Sequence, residues 1–149
     1  MKIYVDADSC PARVREIIAE RCHFLNIQVE FIANREVPVN NYPEVLFHLV
    51  PQGDGAADCY ILENAEPGEL VVTRDIPLAA ELVKRSVLVI NDRGTEFTKD
   101  NVYTRLEQRN FMQLLREGGI VKNRGKSFGI KEIKRFSDTF DSLLTRLGF

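Results

Sequence analysis

Two aspartates one residue apart, Asp6 and Asp8, close the first apolar run of the chain, Ile3-Tyr-Val5, and are followed at once by Ser9, Cys10 and Pro11. A carboxylate at the end of a buried strand is costly unless a cation or hydrogen-bond donors compensate it. Two later apolar runs end in the same way. Residues 69–73 (ELVVT) lead into Arg74-Asp75, and residues 87–90 into Asn91-Asp92-Arg93-Gly94. Asp58, early in a short helical segment, adds another acid. Clustered carboxylates repel one another and raise their own pKa values. A hard, oxygen-seeking cation, Mg2+ or Mn2+, removes that penalty and keeps part of its water shell. Water acidified in this way can attack a phosphodiester, and a second ion ~4 Å away can hold the leaving oxygen. The chemistry expected of these acids is metal-dependent phosphodiester hydrolysis.

Other reactive side chains point elsewhere or nowhere. Cys10, just before a helix start, is placed where a thiol pKa can fall. Residue 16, however, is Glu where a cysteine phosphatase needs Arg. Cys10, Cys22 and Cys59 are odd in number and widely spaced, which suits free thiols in a reducing compartment. No Cys-x-x-Cys pair occurs and His23 and His48 have no partner at ligand spacing, which argues against zinc. Gly53-Asp-Gly55 is too acidic to cradle a phosphate, and neither a P-loop nor a GxGxxG pattern is present.

The elements that must position the acids follow from periodicity. Ser9 and Pro11 open a helix whose apolar positions are Val14, Ile17, Ile18, Cys22 and Leu25. Strands are expected at residues 28–33 (QVEFIA), 45–50 (VLFHLV), 69–73 and 87–90, with helices at 56–64 and 76–85 and an irregular loop at 35–43. Strands that are continuous apolar runs, alternating with helices, indicate a parallel sheet covered on both faces. If the first and fourth strands are neighbours, their carboxyl ends flank the point where α/β sheets bind ligands. Past residue 90 the strand pattern stops. Residues 99–117 read as one or two helices, residues 120–129 as a basic loop, and Ile133, Phe136, Phe140, Leu143, Leu144 and Leu147 mark a terminal amphipathic helix. The expectation is a single three-layer α/β domain over residues 1–149, with residues 118–149 a basic loop and helix packed on it.

Charge is unevenly distributed. Residues 1–117 carry 13 Lys/Arg against 19 Asp/Glu, a balance of -6, while residues 118–149 carry 7 against 3, a balance of +4. An acidic body with a basic tail suits a metal site beside a polyanion-binding surface, although a solvated, lysine-rich helix would look the same. No apolar run approaches the ~20 residues that span a bilayer, and no basic, apolar and cleavage regions mark a signal peptide at the start. A cytoplasmic location without membrane contact is therefore expected.

The chain resembles the YaiI/YqxD family of small bacterial proteins, which is related to the PIN-like nuclease fold. The matching residues are Ile3-Tyr-Val-Asp-Ala-Asp-Ser-Cys-Pro11, Ile32-Ala-Asn34, Ala57-Asp58, Val72-Thr-Arg-Asp-Ile-Pro-Leu-Ala79, Asn91-Asp-Arg-Gly94, Arg109-Asn-Phe-Met112 and the Leu-Arg-x-x-Gly pattern at 115–119. The resemblance implies a parallel sheet in the order 3-2-1-4-5, which sets Asp6 beside Asp75. It also implies that Asp6, Asp58 and Asp75 are the metal-binding acids, with Asp8 and Asp92 as additions. Three departures stand out: Gly55 and Asp92 replace residues usual at those positions, and residues 122–128 lack the usual Gly-Gly-Pro.

The resulting expectation is a metal-dependent nuclease, with RNA favoured over DNA as substrate. In it Asp6, Asp58 and Asp75 hold Mg2+ or Mn2+, and Asp8 orients water or completes the shell. Asn34, Thr73 and Arg93 contact phosphates, and the basic segment of Lys122, Arg124 and Lys126 guides the strand. Two rivals stay open: a HAD-like phosphatase with Asp6 as nucleophile, and an RNA-binding or regulatory module without catalysis.

Overall fold

The central strand is the one that carries the first acids. In a computed structural model of the chain, which describes residues 1–53, 55–119 and 127–149, β1 (Lys2–Asp6) lies between β2 (Gln28–Ala33) and β4 (Leu70–Val72), parallel to both. Outside β2 lies β3 (Val45–Leu49), and outside β4 lies β5 (Leu88–Ile90), again parallel. The order 3-2-1-4-5 is the one the resemblance implied. Val5 pairs with Val72, so the chain leaves β1 and β4 at the same level of the sheet, with Asp6 next to Thr73.

A sixth strand, β6 (Glu96–Phe97), runs antiparallel to β5 at the sheet edge, where no strand was expected. Two residues are too few to show any period in the sequence. The strand exists because Asn91 turns the chain back on itself. Its side-chain Oδ1 accepts hydrogen bonds from the backbone N–H groups of Arg93 (3.0 Å) and Thr95 (2.9 Å), and its own N–H donates to the Thr95 carbonyl at 2.9 Å.

Alternation along the strands divides the core into two halves. Ile3, Val5, Val29 and Phe31 face α1 (Ala12–Leu25) and α5 (Ile130–Arg146), packing on Val14, Ile18, Phe136, Phe140 and Leu143. Tyr4, Ile32, Val71 and Val89 face the opposite layer of α2 (Ala56–Asn64), α3 (Ile76–Lys84) and α4 (Val102–Glu117). The result is a single three-layer α/β domain with its C-terminal helix built into one layer. Pro11 stands at the N-cap of α1, which has no side-chain cap, so the cap expected of Ser9 does not form. Among the described residues no helix is long and apolar enough to cross a membrane.

The C-terminal helix is locked on at one close approach. Gly94 has φ +83°, and a Cβ there would lie 2.6 Å from the Arg135 carbonyl oxygen. Thr139 Oγ1 donates to the Gly94 carbonyl at 2.9 Å beside it. Gly68 has nearly the same φ, +85°, but open space around it. Gly94→Ala should therefore lose about 2–5 kcal/mol, from left-handed strain and overpacking together, whereas Gly68→Ala should lose only about 1–2 kcal/mol, from backbone strain. Chemical denaturation of the two variants checks this; equal losses would contradict the close approach.

Candidate functional site

Three carboxylates converge at the carboxyl edge of β1 and β4, each held by a different element. Asp6 is the last residue of β1, and its Oδ2 accepts a hydrogen bond from Thr73 Oγ1 at 3.2 Å. The same Thr73 oxygen accepts from the backbone N–H of Asp75 at 3.1 Å. Asp75 is the N-cap of α3, with Oδ1 accepting from the Leu78 N–H at 2.9 Å and a proline in the first turn behind it. One hydroxyl thus fixes the strand-end carboxylate and the helix-capping carboxylate relative to each other. Thr73 is only 2% exposed and its hydroxyl lies between these two acids.

Asp58 arrives from α2, which is tied down at several points. Ile61 is fully buried, and Tyr4 donates from its hydroxyl to the Asn64 carbonyl at 3.2 Å. Arg85 Nη1 donates to the Leu62 carbonyl at 2.7 Å. Tyr60 donates a short hydrogen bond to Glu30. Glu30 itself is 4% exposed and paired with Lys2 Nζ at 2.5 Å. These anchors leave Asp58, in the first turn of α2, with its carboxyl against that of Asp75.

Burial and mutual charge push two of the acids far up. Asp6 is raised to about 6 by burial first, and then by the charges of Asp75 and Asp8, against the opposing hydrogen bond from Thr73. Asp58 is raised to about 7 by burial, by its contact with the Asp75 carboxyl, and by the charges of Asp75 and Asp6. Among the described residues no three His, Cys, Asp or Glu side chains are already drawn together as a metal cluster. The donor chemistry nonetheless fits a hard divalent cation: oxygen ligands only, crowded so that their ionised forms are unfavourable without compensating charge.

The other expected site residues lie around this core. Asp8 is tied to the end of β2, its Oδ2 accepting from the Asn34 backbone N–H at 2.8 Å. Its Oδ1 has Arg35 Nε 3.8 Å away. Asn34 therefore meets Asp8 through its backbone. Arg93 sits on the α5 side, donating from Nη1 to the Ser127 carbonyl at 3.0 Å, stacked over Phe128, and 4.0 Å from Glu132. Asp92 is 2% exposed and paired with Arg74, from Nε and from Nη2, both at 3.1 Å. Lys122, Arg124 and Lys126, together with Asp54 beside Gly55, lie outside the described residues. Cys10 is buried and its thiol is pushed up to about 12, by burial and then by the charge of Asp92, so the lowered pKa expected from its place before a helix is reversed.

An open cleft at this edge is lined by Asp6, Ser9, Arg74, Asp75, Ile76 and Arg109. Sequence reasoning did not assign Arg74 or Arg109 to the site. Arg74 had a legible signal, since it lies between Thr73 and Asp75 in the turn already singled out. Arg109 stood in the matching Arg109-Asn-Phe-Met112 stretch but without a role, because its approach to the cleft from α4 is a tertiary outcome.

The chain belongs to the YaiI/YqxD family. A family profile described as "Uncharacterized BCR, YaiI/YqxD family" matches residues 4–146. A "UPF0178 protein" of Treponema denticola is 49% identical over 146 residues, 98% of this chain and 93% of that one. Proteins of the same description from Syntrophobacter fumaroxidans and Myxococcus xanthus are 43% and 42% identical, covering 98% and 99% of this chain and 95% and 96% of theirs. No solved structure matches.

The raised acids make a stability prediction for the metal-free protein. A carboxyl whose folded pKa lies above its unfolded value binds more protons when folded, so stability falls as pH rises from about 4 to about 7 and levels off above. Asp58→Asn removes the larger shift. It should raise stability at pH 8 by on the order of 1 kcal/mol after allowance for solvent screening, or about 2–4 °C in Tm, and flatten the pH dependence. Thermal melts between pH 4 and pH 8 in a chelator check this; a destabilised variant with an unchanged pH profile would contradict it.

Proposed function

We propose that this protein is a metal-dependent phosphodiesterase acting on nucleic acid, RNA ahead of DNA. The observation that carries this reading is the meeting of Asp6, Asp58 and Asp75 at the carboxyl edge of a parallel sheet, half-buried and crowded so that the pKa values of Asp6 and Asp58 are raised. Asp6, Asp58 and Asp75 would hold Mg2+ or Mn2+, which when bound offsets charge on phosphoryl oxygens and lowers the pKa of water. Thr73 acts as a positioning residue that sets the distance between Asp6 and Asp75. Asp8 holds the β2 end against β1 and adds its negative charge to the field at Asp6. Arg93, Lys131 and Arg135 share a hollow with Glu132 on the α5 side, which supports a basic surface there; Lys122, Arg124 and Lys126 precede it in the sequence. The preference for RNA, and the PIN-like relationship behind it, rest on the resemblance alone.

The substitution that tests the reading most cleanly is Asp75→Asn. Asn caps a helix about as well as Asp, so α3 should keep its start while the site loses one charge. Cleavage of labelled RNA and DNA oligonucleotides in Mn2+ should fall on the order of 100-fold or more in this variant, and chelation should abolish it in the wild type. Full activity in Asp75→Asn, or cleavage indifferent to chelation, would remove the mechanism. Turnover of a small phosphomonoester with covalent labelling of Asp6, and none of the oligonucleotides, would replace it with the phosphatase reading.

A further inference from the structure

The acid cleft has a second wall, and it is cationic. Arg74 from the β4–α3 turn and Arg109 from the middle of α4 line the same opening as Asp6 and Asp75. Two arginines in one opening with two half-buried carboxylates would be expected to pair with them. Among the described residues neither does. Arg74 pairs with Asp92, and among the described residues the side-chain hydrogen bond of Arg109 goes from Nη1 to the amide oxygen of Asn110 at 3.1 Å. The carboxylates and the guanidiniums therefore face the same space without neutralising each other.

The Arg74–Asp92 contact shows how that wall is held. Both Nε and Nη2 of Arg74 approach the single oxygen Oδ2 of Asp92, whose side chain is 3% exposed while that of Arg74 is 47% exposed. A guanidinium has five N–H donors in a fixed planar fork. Nε and Nη2 serve Asp92, and Nη1 makes no protein hydrogen bond among the described residues. Arg109 is carried on a helix whose first turns are seated by buried Val102 and by Leu106, with Arg105 over the Phe97 ring one turn before it. Ser9 adds a hydroxyl to the same opening.

We propose that Arg74 and Arg109 form the anion-binding half of the site, taking the phosphate of a single-stranded nucleic acid between two guanidiniums and the acids opposite, with Asp92 positioning Arg74. The proposal rests on the phosphodiesterase reading above and names the part of the chain that recognises the substrate's charge. A planar, bidentate donor pair suits phosphate oxygens better than a point charge would. Acids for a cation on one wall and arginines for an anion on the other suit a ligand that is itself a phosphate with its counter-ion.

The test measures two ligands on each variant. Mn2+ binding is followed by calorimetry. Binding of a labelled single-stranded RNA oligonucleotide is followed by fluorescence anisotropy in Ca2+, over a range of salt. Arg109→Ala and Arg74→Ala should each weaken the oligonucleotide about tenfold or more. Each should also lower the slope of log affinity against log salt by about 0.7, the loss of one phosphate contact on a single strand. Mn2+ affinity should be unchanged or tighter, since a neighbouring positive charge is removed. Asp6→Asn should lose Mn2+ affinity. Asp92→Asn should weaken the oligonucleotide in a wild-type background and have no further effect on Arg74→Ala, a dependence that a merely structural role would not produce. Arg109→Lys, which keeps the charge and the helix, guards against misfolding and should recover only part of the loss. Arginine variants that bind the oligonucleotide like the wild type, while Asp6→Asn still loses Mn2+, would overturn the clamp and leave the metal reading standing. Arginine variants that lose the oligonucleotide in a protein that binds no Mn2+ would sink the metal reading and keep the clamp.

Discussion

A parallel sheet that places β1 beside β4 brings Asp6 within reach of Thr73 and Asp75, and the electrostatic cost of that meeting shapes the rest of the molecule. Burial raises the free energy of an ionised carboxylate, and each neighbouring negative charge raises it further. A sequence selected for stability alone would remove one of the acids or supply a cation from a side chain. Here the pKa values of Asp6 and Asp58 are both pushed toward neutral, while the two arginines that line the cleft bond to Asp92 and Asn110. Perturbed acids of this kind cluster at functional sites.

Much of the surrounding structure holds that arrangement open. Three ties run across the carboxyl edge of the sheet: Asp8 to the backbone of Asn34, Asp6 to Thr73, and Arg74 to Asp92. They link β2, β1, β4 and β5 in sheet order, so adjacent strand ends are fixed to one another by side chains where the backbone ladder stops. Behind them α2 is pinned by Tyr4, Tyr60 and Arg85, and α3 is capped by Asp75 itself. The Asn91–Thr95 turn does two jobs, reversing the chain into β6 and pressing Gly94 against α5. Asp92, within that turn, faces inward to Arg74.

The strands and helices through Ile90 were legible because the strands are apolar runs and the helices keep their apolar positions at helical spacing, with Pro11 marking the start of α1. Their ends moved by a residue or two. The two-residue β6 was not legible, since its cause is the hydrogen bonding of one asparagine. Asp6, Asp58 and Asp75 could be singled out as strand-end and helix-start acids, but their convergence needed the strand order, which the resemblance supplied. Thr73 was picked out for its hydroxyl and turned out to be buried between acids. Arg109 was noticed only as part of a matching motif, because nothing in an amphipathic helix says which neighbour its exposed face will meet.

The proposed function requires the crowded acids, whose pKa values are raised toward neutral pH, to exchange protons for a divalent cation. Ligands must be deprotonated to bind a metal, so binding releases protons when the site holds them. Calorimetric titration of Mn2+ into the protein at pH 6.5, repeated in two buffers of different ionisation enthalpy, counts those protons directly. Release of about one proton at pH 6.5, fading by about pH 8.5 and reduced in Asp58→Asn, is the expected result. Mn2+ binding with no proton release at either pH, or no binding at all, would contradict it.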